Sequence, residues 1–233
     1  MSTLRGKTAL VIGAGRLGGP AAFALASAGG VRIVLVDGGI VETADLAGQP
    51  IFVEADLGQP RGSAAARRLT RLFPELEVEG SARGFDEGSA NEFVRSADVV
   101  VDASSHLAGM FLASDSAVAA GKALAHGGLL NFTAQLLTVV PGVTGCLRCL
   151  FEEPPPPGPA AGALGALAGF AGSLLGAEAL RLLEGRPGAY AGRLLVYEAR
   201  QARSRSVPVR QRPGCAACGA ISEGGARAPE RSS

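Results

Sequence analysis

The sequence contains no tryptophan, two tyrosines, nine phenylalanines and only two histidines, His106 and His126. So few aromatic side chains exclude a stacking platform for bases or sugars. An excess of one charge is missing too. Lys+Arg 22 against Asp+Glu 21 leaves a net charge of +1, which lacks the footprint of a nucleic-acid binder. No secretory leader is visible, because residues 1–7 pass straight into a short apolar run. A cytoplasmic, reducing setting is therefore expected, and the four cysteines are not expected to form disulfides. What is present in quantity is apolar sequence, 47% of 233 residues, enough for a sizeable core and incompatible with a disordered chain. Glycine is in excess, at 34 residues.

Residues 7–12 form an apolar run that reads as a buried strand. A glycine turn, a helix over 20–28 and a second strand over 31–36 complete a β-α-β unit. Residues 38–62 read as irregular. Helices are expected over 63–73, 87–95 and 111–120, and strands over 77–82, 98–102, 123–126, 135–140 and 194–198. The alternation implies an α/β, Rossmann-like fold, with a mostly parallel sheet and helices on both faces. Residues 1–221 are expected to form one domain and 222–233 a disordered tail. The segment 154–177 carries no charge, but it is Gly, Ala and Pro rich. It reads as part of a buried helix over 162–184 rather than a membrane span. Gly165, Gly169, Gly172 and Gly176 give that helix a face nearly free of side chains, for packing on the sheet or against a second subunit. Arg193, Arg200, Arg203, Arg205, Arg210 and Arg212 read as a strand edge or a solvated run rather than a nucleic-acid patch, since few aromatics interleave with them.

Gly13-x-Gly15-x-x-Gly18 lies between the first strand and helix, and Asp37 follows at the tip of the next strand. This is the context a nucleotide-binding fingerprint requires. The first glycine permits the tight turn and the second lets phosphate approach the backbone. The third lets helix and strand pack closely, and the acid accepts ribose hydroxyls. The fingerprint alone does not separate NAD from ATP. An NAD(P)-linked oxidoreductase would need an acid/base set, and no Tyr-x-x-x-Lys pair is present. Two C-x-x-C pairs, Cys146/Cys149 and Cys215/Cys218, read as a closed structural tetrathiolate zinc site joining distant parts of the chain.

The glycine fingerprint with Val34-Leu35-Val36-Asp37, the knuckle Gly145-Cys146-Leu147-Arg148-Cys149, the Gly-rich helix and the second knuckle resemble, in this order, the ThiF/MoeB/HesA group. These are bacterial relatives of ubiquitin-activating enzymes, and the resemblance spans roughly residues 7–219. It implies an enzyme that binds ATP and magnesium and adenylates the C-terminal glycine of a ubiquitin-like or sulfur-carrier protein, releasing pyrophosphate. It also implies a homodimer or a heterodimer with a related subunit, and no membrane. The implied nucleotide-binding residues are Gly13, Gly15, Gly18, Asp37 and Arg61, the last at the position of a family lysine. Arg61 and Asp102 are weak catalytic candidates.

Several positions depart from the family pattern. Arg5 is the only arginine ahead of the first strand, where the family has an arginine-bearing helix that reaches the partner's site. The loop after Asp37 places Gly39, Asp45 and Gly48 where an acid, an Asn and an Arg are usual. Asp45 is expected to repel an anionic ligand unless a metal intervenes. Ser105 replaces the magnesium-linked acid, His106 reads as an ordinary loop histidine, and the crossover segment 152–162 has no cysteine for a thioester. The alternative is thus a degenerate relative that serves as a nucleotide-binding or partner subunit.

Overall fold

The computed structural model describes residues 4–46, 49, 51–154 and 164–219; the expected tail lies outside them. Its elements in chain order are β1 (Lys7–Ile12), α1 (Gly18–Ala28), β2 (Val31–Val36), α2 (Thr43–Leu46), α3 (Arg61–Leu72), β3 (Val78–Ser81), α4 (Ala90–Arg95) and β4 (Val99–Asp102). They continue with α5 (Leu107–Ala119), β5 (Ala123–Leu130), β6 (Thr133–Val139), α6 (Leu147–Leu150), α7 (Gly165–Leu183), β7 (Arg193–Glu198) and β8 (Arg203–Pro208).

All eight strands form one sheet in the order β3-β2-β1-β4-β5-β6-β7-β8. The first five of that order run parallel. β6, β7 and β8 extend the sheet as an antiparallel meander. The apolar runs of β1 and β2 divide by the two-residue period of a strand. Ala9, Val11, Ile33 and Leu35 enter the core shared with α1, α3 and α7. Leu10, Ile12, Val34 and Val36 enter the core on the opposite face, with Phe93, Phe111 and Val118 of α4 and α5. Helices thus cover both faces, as the unbroken apolar runs required.

Helix α7 is long and apolar enough to cross a membrane by length and composition, with mean hydropathy 1.4, but half of that window is buried in the protein. Two glycines of its stripe, Gly172 and Gly176, lie against α1. A Cβ at Gly172 would strike the Leu17 carbonyl, and one at Gly176 would lie 2.6 Å from the Ala21 carbonyl oxygen. These two glycines therefore serve contact within the chain, not a subunit contact. Toward its C-terminal end α7 buries Glu178, which accepts the Thr138 hydroxyl and the N–H groups of Ala189 (3.0 Å) and Tyr190 (3.0 Å). A buried carboxylate with three donors is satisfied, and it pins the 187–190 turn to the helix.

Candidate nucleotide crevice and cysteine cluster

In the parallel half of the sheet, strand order reverses between β1 and β4. The carboxyl ends of these two strands flank a crevice, the place where open α/β sheets hold ligands. The loop after β1 begins at Gly13, with φ of +88°. A Cβ there would also come within 2.7 Å of the Ala103 carbonyl oxygen, at the end of β4. The Gly13 N–H donates to the Val36 carbonyl (2.8 Å), so the turn is tied to β2 as well. At Gly15 an added Cβ would meet nothing within 4 Å, whereas at Gly18 it would collide with the Gly13 carbonyl. Gly15 thus faces open space, and Gly18 lets α1 start directly against the turn. The positive end of the α1 dipole lies at the crevice and favours an anion there.

Asp37 caps the end of β2. Its Oδ2 accepts the Ala14 N–H (2.8 Å) and its Oδ1 the Gly39 N–H (2.8 Å), so the acid holds the glycine loop in shape. Arg61, the first residue of α3, reaches into the same corner. Its Nε donates to Asp45 Oδ2 (2.8 Å) and its Nη1 lies 3.7 Å from Asp37 Oδ1. Room for the guanidinium exists because residue 39 is glycine; a Cβ there would overlap Nη1. Burial works against the Arg61 charge, but the Asp45 hydrogen bond and the charges of Asp37 and Asp45 outweigh it and hold its pKa above the ordinary value. The expectation that Asp45 faces an anionic ligand without compensation is therefore corrected. Asp45 is buried and already paired with a cation.

On the far side of β4, Cys146, Cys149, Cys215 and Cys218 converge, with all four sulfurs within 4.8 Å of one another. The Sγ–Sγ separations are 3.9 Å for Cys146–Cys149, 3.6 Å for Cys146–Cys215 and 3.4 Å for Cys149–Cys218. A tetrahedral ion with metal–sulfur bonds of about 2.3 Å needs sulfurs about 3.8 Å apart, so the donor set fits a metal. The Arg212 N–H donates to Cys149 Sγ (3.3 Å), the outer support that thiolate ligands use. Burial pushes the Cys146 thiol well up and the Cys218 thiol up to about 11. At Cys215 burial also raises the pKa, but N–H groups of Cys218 and Ala217 and the thiol of Cys146 prevail and bring it down to about 7.

Residues 1–217 match the model of the ThiF family. The chain belongs to the ThiF family. Among its ThiF-type relatives is the "Sulfur carrier protein adenylyltransferase" of Thermus thermophilus, 38% identical over 226 residues, covering 93% of this chain and 83% of the relative. The "SAMP-activating enzyme E1" of Haloferax volcanii is 37% identical over 221 residues, with 93% and 80% covered. Against the Bos taurus "Adenylyltransferase and sulfurtransferase MOCS3", at 38% identity, the chain spans 48% of the relative. Among solved structures, Escherichia coli MccB with ATP superposes with a TM-score of 0.81 at 21% identity, over 94% of this chain and 68% of that one. That likeness concerns the fold.

Besides the loop after Asp37, departures from the family pattern are expected at Ser105 and Arg5. Ser105, expected at the position of a family acid, is exposed. His106 caps α5, with Nδ1 accepting the Gly109 N–H (2.9 Å), the structural role expected of it. Arg5 is exposed and precedes β1, at the edge of the sheet opposite the crevice. Asp102, by contrast, is fully buried. Its Oδ1 accepts the N–H (3.0 Å) and hydroxyl (2.6 Å) of Ser104, and its Oδ2 lies 2.7 Å from His126 Nδ1. Sequence reasoning singled out neither His126 as Asp102's partner nor Asp45 as Arg61's. Both pairings join residues from separate elements, and only the equal distance of Asp102 and His126 along neighbouring strands hinted at the first.

Proposed function

We propose that this chain activates the C-terminal glycine of a ubiquitin-like or sulfur-carrier protein by adenylation. The observation that carries the reading is the glycine loop at the β1/β4 crevice, in a chain 38% identical over 93% of its length to a sulfur carrier protein adenylyltransferase. The oxidoreductase alternative loses its basis once the family is established. In the reaction a carboxylate oxygen attacks the α-phosphate of ATP, pyrophosphate leaves, and an acyl-adenylate forms. Two anions must meet, so the work of the protein is positioning and charge neutralisation. Gly15 and the α1 N-terminus would receive phosphate oxygens and Asp37 the ribose. Arg61 would supply a cation, partly offset by Asp45. Magnesium would arrive with the triphosphate, because Ser105 offers a hard cation no carboxylate. Zinc in the cysteine cluster would hold the fold and leave no open coordination position for chemistry.

The test is carrier-dependent exchange of labelled pyrophosphate into ATP, using a purified bacterial sulfur carrier ending in glycine. Exchange above the carrier-free background supports the reading, and none with any such carrier overturns it. A second reading, a subunit that needs a related partner, is favoured by Ser105 and by the neutralised Arg61. It predicts exchange only when that partner is added. For either a homodimer or a heterodimer, Leu164 and Phe170, exposed at the start of α7, offer an apolar patch, and light scattering reports the mass.

A further inference from the structure

The Asp102–His126 pair is built like a base and its support. The two residues are register neighbours on β4 and β5, at the carboxyl edge of the parallel strands. β4 separates β5 from β1 and its glycine loop, so His126 stands two strand spacings, about 10 Å, from the phosphate end of the crevice. Oδ1 of Asp102 is occupied by two donors from Ser104, and an ionised carboxylate only accepts. Nδ1 of His126 therefore carries the proton and donates it to Oδ2, which fixes the tautomer and the ring plane. Nε2 is left with its lone pair. Among the described residues it has no hydrogen-bond partner, and 7% of the side chain remains open. Meanwhile all four cysteines of the chain are gathered in the metal-type cluster. An acyl-adenylate formed in the crevice therefore has no thiol of this chain to attack it, and the acceptor must come from outside.

Resting on the adenylation reading, we propose that His126 is the general base that delivers the activated acyl group to an external thiol or hydrosulfide, with Asp102 as its positioning residue. Nε2 takes the S–H proton as sulfur bonds to the carbonyl carbon. The carbon–oxygen bond to phosphate breaks, and AMP leaves with the electron pair. The product is a thioester or thiocarboxylate, and the imidazolium then gives its proton to water. A thiol suits this base, since the thiolate and not the thiol is the nucleophile.

The experiment compares wild type, H126Q and D102N in two assays with the same glycine-ending carrier. One is ATP–pyrophosphate exchange; the other is AMP release coupled to transfer onto dithiothreitol. The ratio of transfer to exchange is expected to fall at least about 100-fold in H126Q, the lower range for loss of a general base, and by a smaller factor in D102N. With 2-nitro-5-thiobenzoate, already a thiolate at neutral pH, the H126Q deficit should largely disappear. An unchanged ratio in H126Q overturns the proposal, and so does an equal loss with both thiols, which marks a structural role. If the wild type shows no exchange, the adenylation reading itself fails and the proposal falls with it. Exchange with a changed ratio separates the two claims.

Discussion

At the scale of single residues, the nucleotide corner is governed by charge that is already spent. Arg61 is a cation in the right place, yet Asp45 at 2.8 Å and Asp37 at 3.7 Å hold it. The three side chains together carry one net negative charge, beside a helix terminus that attracts anions. Replacing Asp45 with Asn keeps the shape and an acceptor for Nε but removes that charge. D45N is expected to tighten Mg–ATP binding about three- to tenfold, the size of one partly screened charge at moderate distance. R61A should weaken it by a similar factor. Calorimetric titration of both variants decides the matter; weaker binding in D45N would show that Asp45 serves the nucleotide directly. The sequence displayed Arg61 and Asp45 but not their bond. It depends on Gly39 leaving space for a guanidinium, and glycine is legible as a missing acid long before it is legible as a cavity.

Among the elements, the Gly-rich helix gives the sharpest contrast within one stripe. Gly176 presses on α1, with the Ala21 carbonyl oxygen and Ala24 Cβ at 2.6 and 2.8 Å from a built Cβ, while the same construction at Gly169 meets open space. G176V is therefore expected to cost about 1–3 kcal/mol through overpacking. G169A should gain up to about 1 kcal/mol from helix propensity. At about 2–4 °C per kcal/mol for a chain of this size, thermal denaturation should show the two variants moving in opposite directions. A loss of stability in G169A would mean that this face is covered in solution, as a dimer would cover it. Helix and strand positions were readable where the hydrophobic pattern was strong: β1 and β2 lie over the residues the apolar runs indicate. They were not readable where pairing supplies the order. β5 runs to Leu130, well past its apolar start, because β6 pairs with it through a short turn at Asn131 and Phe132. β8 reads Arg-Ser-Arg-Ser-Val-Pro and is exposed along most of its length, so no alternation marks it. It is nevertheless the strand edge that the run of arginines suggested. Helix α5 starts at Leu107, earlier than its apolar pattern, because the His106 ring caps it.

For the molecule as a whole, the cysteine cluster joins what the chain order separates. Cys146 caps α6 and Cys149 lies within it, after the turn that ends β6, and Cys215 and Cys218 follow β8, 69 residues later. The sequence made this juxtaposition legible through spacing alone, because tetrathiolate chemistry needs four sulfurs whatever the fold. The antiparallel half that the cluster braces left no such mark. Zinc bound there would stabilise the native state by the free energy of binding, since the unfolded chain holds no preformed site. Chelation is expected to lower the melting temperature by about 10 °C or more, with re-addition of zinc restoring it. The pH dependence follows from the thiols. Only thiolates bind, and in the metal-free protein Cys215 ionises near about 7 while Cys218 waits until about 11 and Cys146 is pushed higher still. Zinc must therefore displace the protons still held by these three thiols, one fewer above about pH 7 than below it. Affinity, and with it the metal's share of stability, rises with pH throughout this range and is lost on acidification. Competition against a chelator of known affinity should give a log K that climbs with pH, about one unit per pH unit less steeply above about 7 than below it. An unchanged slope across pH 7 would mean that Cys215 does not bind the ion, leaving the end of β8 unclamped.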